Sequence, residues 1–304
     1  MSGALPPAPP PLRWVRCARL GLHLLWGMTT VACAYPFLND AVRLWLKRRW
    51  SRQLLDILGI RLAGHPRGMA RGREEALAPG SLFVANHVSW LDIFALNAVR
   101  PMAFVAKSEV RGWPLAGWLA ANTDTLFLRR GQRGQTHAIN RRIAELLAAG
   151  KDVAIFPEGT TTDGSVVLPF HGALLQPAID GRHPIRPVAL AYFAADGRRS
   201  AAPAYAGDTS FGACLAAILA CRSLSVRLRP TPPLAPPGVA AGADRRALAA
   251  SARSAIAYAL GMAAETPAAA DAGGYGGKRG LPEAPPGPAA GALPRPCADT
   301  RGRT

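Results

Sequence analysis

Between positions 20 and 38 the chain reads LGLHLLWGMTTVACAYPFL, a run with no charged residue and one histidine. A helix needs roughly 20 apolar residues to cross a ~30 Å hydrocarbon core, so this run is long enough to span a bilayer. Arg13, Arg16 and Arg19 precede it, and Arg43, Lys47, Arg48, Arg49 and Arg52 follow it. Basic flanks on both sides give no orientation by the positive-inside rule, and they suit equally a helix that dips into one leaflet and returns. A cleaved signal peptide fits less well, because the run is long for an h-region and Ala32, Cys33 and Ala34 lead into aromatic and bulky residues. Residues 40–60, DAVRLWLKRRWSRQLLDILGI, place Val42, Leu46, Trp50, Leu54, Ile57 and Leu58 at helical spacing opposite a basic face. That is the pattern of an interfacial amphipathic helix or of an ordinary packing helix.

After Gly64 short apolar runs alternate with helical patterns. The spacing predicts strands over residues 81–85, 102–106, 125–128, 153–156 and 185–192, with helices over 90–99, 114–121, 135–149 and 173–179. A late strand over 225–229 and an Ala-rich terminal helix over 244–262 complete the pattern. Alternation of this kind implies an α/β layered domain, with a mixed, mostly parallel sheet flanked by helices. Residues 1–11 are Pro- and Ala-rich, and from 263 to 304 the composition falls to Ala, Pro, Gly and scattered charge; both stretches are expected to be disordered. The expected organisation is an N-terminal membrane-associated helical region to residue 60, the α/β domain over 61–262 and a tail over 263–304.

Composition narrows the class. With 49% hydrophobic and 18% charged residues the chain is too apolar for a disordered protein and too interrupted for a multi-span transporter. The 36 Lys+Arg against 19 Asp+Glu give a formal charge of +17, which favours anionic partners such as phospholipid headgroups, nucleic acid or an acidic carrier protein. The five cysteines are widely spaced, with no CxxC pair or nearby Cys/His cluster, so neither a disulfide framework nor a zinc site is suggested and a reducing compartment is expected.

The chemistry concentrates in a few stretches. In NHVSWLD, a strand stops at Asn86 and is followed by His87 and, five positions later, Asp92. Ser89 and Asp92 form an S-x-x-D capping pattern, and a carboxylate in a first helical turn complements the macrodipole. The same loop lies at the carboxyl end of a strand, where α/β sheets build their sites, and His with Asp is a standard general-base pair. A carboxylate has two oxygens, so Asp92 can serve both ends, capping the helix with one and holding His87 with the other. In FPEGTTTDG a strand delivers Glu158, Gly159, Thr160 and Thr161 into a turn where backbone N–H groups can approach an anion. Lys107 at one strand end and Arg129 and Arg130 at another form either an anion pocket or solvated edge charges. No GxSxG elbow supplies a nucleophile.

Taken together these stretches closely resemble the glycerolipid acyltransferase family, of the 1-acyl-glycerol-3-phosphate acyltransferase type. NHVSWLD resembles its first motif, KSEVRGWPLAGW with TLFLRR its second, FPEGTTTDG its third and HPIRPVAL its fourth. The resemblance implies that His87 is the general base and Asp92 its orienting partner, and that an acceptor hydroxyl attacks the thioester of acyl-carrier protein or acyl-CoA directly. It implies acceptor binding by Glu158, Gly159, Thr160 and Thr161, and substrate-site positions at Lys107, Gly112, Arg129, Arg130 and Pro187. It implies no metal and no cofactor beyond the thioester donor, a lyso-lipid partner, and a place on the bacterial inner membrane facing the cytoplasm.

One position departs from the pattern. Many members that acylate lysophosphatidate carry Arg directly after Glu-Gly-Thr, and here that residue is Thr161. Charge-assisted, bidentate grip on a phosphate is lost with that change unless another cation replaces it. EGTTTDG and the later AYAGDTSFGACLAAIL look more like the branch that acylates lyso-ornithine lipid. The rival classes are a basic nucleic-acid-binding protein, for which no recognition motif is visible, and a lipid hydrolase using the same histidine on water.

Overall fold

The computed structural model describes residues 7–64, 80–112, 116–128, 134–234 and 244–262. All of these fall in one unit, Met1–Ala264; the predicted tail over 263–304 lies outside the described residues.

The apolar run at the N-terminus is not one helix. Helix α1 (Pro10–Thr29) gives way to a π turn (Thr30–Ala34) and a 3-10 turn (Tyr35–Phe37), and α2 (Asp40–Ile57) then leads back. Two local causes end the first helix. The Thr29 and Thr30 hydroxyls donate to the carbonyls of Leu25 and Trp26, which bends a helix. Pro36 then has no N–H to continue it, and Asn39 caps α2 by accepting from Val42 N at 3.0 Å. Of the two expectations for residues 20–38, a spanning helix or one that dips and returns, the first finds no support: among the described residues no helix is long and apolar enough to cross a membrane. Part of the start predicted as disordered is also ordered: Ala8 is buried, its N–H donates to Ala220 O, and α1 begins at Pro10.

The two helices form a hairpin. His23 stacks on Trp50 with ring centroids 4.6 Å apart, and Trp50 Nε1 donates to His23 O. Gly27 permits the contact, because a Cβ there would lie 2.5 Å from Trp50 Nε1. The basic face predicted on α2 does not all face outward. Arg52 Nε donates to Ala98 O at 2.7 Å, and Lys47 Nζ donates to Thr123 O at 2.9 Å. Leu54, Leu55, Ile57 and Leu58 are buried, so the second half of α2 is a packing helix.

Downstream come β1 (Ile60–Ala63), β2 (Leu82–Ala85), α3 (Asp92–Val99), β3 (Ala103–Lys107), α4 (Ala116–Ala121) and β4 (Thr125–Leu128). They are followed by α5 (Gln135–Ala148), β5 (Val153–Ile155), α6 (Gln176–Asp180), β6 (Ile185–Ala194), α7 (Phe211–Ala220), β7 (Leu224–Pro230) and α8 (Arg245–Ala259). Among the described residues the strands form one sheet in the order β1-β7-β6-β2-β5-β3-β4. Every neighbouring pair is parallel except β6 with β7. The predicted mixed, mostly parallel α/β sheet is the observed one.

β2 occupies the centre and is buried at every position, as a strand covered on both faces must be. Its alternation divides the core. Phe83 and Ala85 join one cluster with Leu54, Ile57, Leu96 and Ile218 of α2, α3 and α7. Leu82 and Val84 join the other with Ile143, Leu147 and Ala252 of α5 and α8.

At the amino end of the sheet, Arg100 grips Asp152 with Nε to Oδ2 at 2.6 Å and Nη2 to Oδ1 at 3.0 Å, and Ser81 N donates to the same carboxylate. Both side chains are about 7% exposed. Removing one partner of a buried pair strands the other charge, so Asp152→Ala lowers unfolding free energy by about 3–5 kcal/mol in denaturant titrations. Turnover per folded molecule stays unchanged, because the pair lies at the far end of the sheet from the residues described next.

Candidate active site

β2 is followed by Asn86, whose side chain takes over the pairing of a strand. Its Nδ2 donates to Leu190 O at 2.9 Å and its Oδ1 accepts from Leu190 N at 2.8 Å. The main chain is then free to leave the sheet, and it presents His87 at the carboxyl edge. His87 Nδ1 lies 2.8 Å from Asp92 Oδ2. Asp92 is fully buried, and His87 keeps 20% of its side chain exposed. An ionised carboxylate only accepts, so the ring proton sits on Nδ1 and Nε2 is left as the basic nitrogen on the other side of the ring.

The division of labour expected of Asp92 is different in the structure. Oδ2 accepts from His87 and also from Val88 N at 2.7 Å and Ser89 N at 2.9 Å. The contacts to the loop before α3 and the histidine therefore share one oxygen, and Oδ1 accepts from Tyr192 Oη at 2.8 Å. The carboxylate that meets the histidine also braces the loop that leads into α3, held by four donors. Burial first, and the nearby Asp92 charge second, push the Tyr192 phenol well above the usual tyrosine range. Its hydroxyl therefore remains a donor at neutral pH.

The FPEGTTTDG segment closes over this pair. Phe156 stacks on the His87 ring, with centroids 4.0 Å apart and planes 10° apart. Glu158 is buried, and both of its oxygens accept from the backbone, Oε1 from His87 N at 2.7 Å and Oε2 from Leu168 N at 2.9 Å. Burial pushes its carboxyl above the ordinary range against the opposing pull of those two N–H groups. Gly159 turns the chain at φ +70°, a conformation glycine adopts without strain. Thr162 N donates to His87 O at 2.9 Å, so the two segments are joined on both sides of the histidine.

The remaining sequence-derived positions distribute as follows. Thr160 is exposed, and the Thr161 hydroxyl donates to the carbonyl of Tyr205, whose own N–H donates to Val88 O. Lys107 is exposed at the carboxyl end of β3, on the same sheet edge as His87, and Gly112 is exposed at the end of a 3-10 turn (Ser108–Gly112). Pro187 is buried within β6 opposite Val84, so it shapes the strand behind the site and does not line its surface. Arg129 and Arg130 lie outside the described residues. Asn86 and Phe156 open the two quoted motifs but were given no part in the site, and Tyr192 was not singled out because it has no local signal.

A cavity of about 430 Å³ lies between the hairpin and the sheet, lined by Trp90 of the His87–Asp92 segment, by Phe94, Phe104 and Ala106, and by Leu24, Lys47 and Trp50 of the hairpin. Its walls are mostly aromatic and aliphatic. The site thus combines a partly exposed imidazole, a buried carboxylate that holds it, and a largely apolar cavity that Trp90 of the same segment lines.

Comparison with known proteins identifies the family. A family model described as Acyltransferase matches residues 70–191. The chain is 42% identical over 179 residues to 1-acyl-sn-glycerol-3-phosphate acyltransferase of Neisseria meningitidis serogroup B, covering 59% of this chain and 70% of that one. It is 43% identical over 193 residues to the lyso-ornithine lipid O-acyltransferase of Pseudomonas aeruginosa, covering 63% and 72%. The crystal structure of the 1-acyl-sn-glycerophosphate acyltransferase of Thermotoga maritima shares the fold, with a TM-score of 0.52 at 20% identity over 79% of this chain and 94% of that one. The chain belongs to the acyltransferase family, and it is an acyltransferase.

Proposed function

We propose that the protein moves a fatty acyl chain from a thioester of acyl-carrier protein or CoA to the free hydroxyl of a lyso-lipid, foremost 1-acyl-sn-glycerol-3-phosphate, giving phosphatidic acid. The observation that carries the reading is the 2.8 Å His87–Asp92 contact at the carboxyl end of the central strand, in a segment whose Trp90 lines a largely apolar cavity. His87 Nε2 takes the proton of the acceptor hydroxyl as its oxygen attacks the thioester carbonyl carbon. The tetrahedral intermediate collapses, the carbon–sulfur bond breaks, and the thiolate leaves with the proton returned from the imidazolium. Asp92 keeps the ring in the productive tautomer and stabilises the imidazolium while it exists. Glu158, Gly159 and Thr161 act by holding the loop around His87, and Thr160 and Lys107 are exposed where they can meet polar parts of the substrates. The reaction needs two substrates and no further cofactor.

A lyso-ornithine lipid acceptor is the second reading, favoured by Thr161. The position that carries a phosphate-gripping arginine in many lysophosphatidate enzymes is here a hydroxyl committed to Tyr205 O. Purified protein supplied with one acyl-carrier-protein thioester and either acceptor decides between them. Turnover of lysophosphatidate supports the first reading, and turnover confined to lyso-ornithine lipid supports the second.

The hairpin supplies the membrane contact. Trp14, Phe37 and Trp45 are 76%, 87% and 56% exposed, and Leu22, Leu25, Trp26 and Leu44 also face outward. Such a patch suits insertion into one leaflet from the cytoplasmic side, where thioester donors are made. Burying one large apolar side chain is worth about 1.5–3 kcal/mol. Phe37→Glu therefore reduces partitioning to anionic vesicles by roughly ten- to a hundredfold in sedimentation assays, with the melting temperature unchanged.

A further inference from the structure

We infer that Tyr192 is a positioning residue for the acyl transfer: its buried hydroxyl fixes the Asp92 carboxylate, and through it the His87 ring, against the sheet. The inference rests on the acyl-transfer reading of the site.

The donors to Asp92 come from two sources of different kind. His87, Val88 and Ser89 all belong to the segment that carries the carboxylate, so they move with it. Tyr192 belongs to β6, one hundred positions away, and donates to the other oxygen. Donors on both oxygens fix the plane of a carboxylate, and only the Tyr192 contact refers that plane to the strand beside β2. The direction in which Oδ2 meets Nδ1 follows from it, as outer partners orient the ligands of a metal site.

Packing alone does not account for the phenol. Tyr192 is 2% exposed among Val188, Leu190 and Val226 in an apolar cluster, where phenylalanine would fill the same space without a polar group to satisfy. The ionisable groups around the pair come from three other elements: His87 from the loop after β2, Glu158 from the loop after β5, and Cys214 from α7. Cys214 gives its own thiol to Pro203 O. The imidazolium exists only once the acceptor hydroxyl has begun to lose its proton, so loss of orientation is felt in turnover and not in substrate binding.

The test is Tyr192→Phe in the full chain, assayed in detergent with lyso-lipid and thioester varied independently. The expected result is a fall in kcat on the order of ten- to a hundredfold, with KM for both substrates unchanged. Val226→Ala, at the cross-strand neighbour, controls for packing and lowers the melting temperature without lowering kcat. Wild-type kcat in Tyr192→Phe, or a change confined to KM, overturns the inference. If Tyr192→Phe yields no folded protein, 3-fluorotyrosine at 192 keeps the ring and hydroxyl while changing donor strength; a shift in kcat at constant KM supports the role, and an unchanged kcat overturns it. A wild-type protein that transfers no acyl group to any lyso-lipid overturns the reading of the site and this inference with it, a result distinct from wild-type activity that survives Tyr192→Phe.

Discussion

Replacing His87 with alanine lowers acyl transfer by roughly 10²- to 10⁴-fold while the protein stays folded. The expectation follows from what the side chain does and does not touch. Its ring covers Phe156 and meets one oxygen of Asp92, and its exposed fraction faces the open edge of the sheet. The contacts that knit the two motif segments together use the His87 backbone, whose N–H goes to Glu158 and whose carbonyl receives Thr162 N, and alanine keeps both. Alanine instead leaves an Asp92 oxygen with two of its three donors, a modest loss. Circular dichroism and vesicle binding therefore match the wild type, and only the rate of product formation falls. Near-wild-type turnover in this variant is incompatible with His87 as the base.

Asp92→Asn lowers turnover by roughly 10²- to 10⁴-fold for a different reason. An asparagine can place its single carbonyl oxygen where Oδ2 stands and keep the donors Val88 N, Ser89 N and His87 Nδ1. Its NH₂ group then faces the Tyr192 hydroxyl, which can rotate to accept. The fold survives, and what is lost is the negative charge that stabilises the imidazolium. A capping role alone predicts only about 0.5–2 kcal/mol of lost stability with activity retained in the folded fraction. Measuring melting temperature and kcat on the same preparation separates the two. Asp92→Ala is harsher on folding, because it leaves the Val88 and Ser89 N–H groups buried without that acceptor, at about 1–3 kcal/mol each.

The sequence was most legible where the pattern is local. The strands at Thr125–Leu128 and Leu82–Ala85 and the helix at Gln135–Ala148 stand within a residue or two of expectation, because each has a clear period bounded by turn residues. α7 was missed because FGACLAAILA is apolar on nearly every side and shows no period. β1 was missed because four residues follow a helix with only a short turn between, and its partner β7 lies far along the chain. The break in the N-terminal run was written in Thr29, Thr30 and Pro36, but hydropathy averages over such residues. The site divides in the same way. His87 and Asp92 are five apart, and their contact is readable as a motif. Tyr192 reaches Asp92 only because β6 lies beside β2 in a fixed register, Val84 opposite Pro187 and Ala85 opposite Val188. Glu158, given to acceptor binding by resemblance, turned out to have both oxygens on backbone N–H groups, a fact that only burial and loop closure reveal.

The central claim is that His87 activates an acceptor hydroxyl for direct attack on a thioester, and its most direct test follows an acyl-labelled thioester with and without lyso-lipid. The account predicts that thiol release depends on the acceptor, with one labelled chain appearing in a two-chain lipid for each thiol released. Equal release of thiol with and without lyso-lipid, with the label recovered as free fatty acid, contradicts it and identifies a hydrolase acting on water.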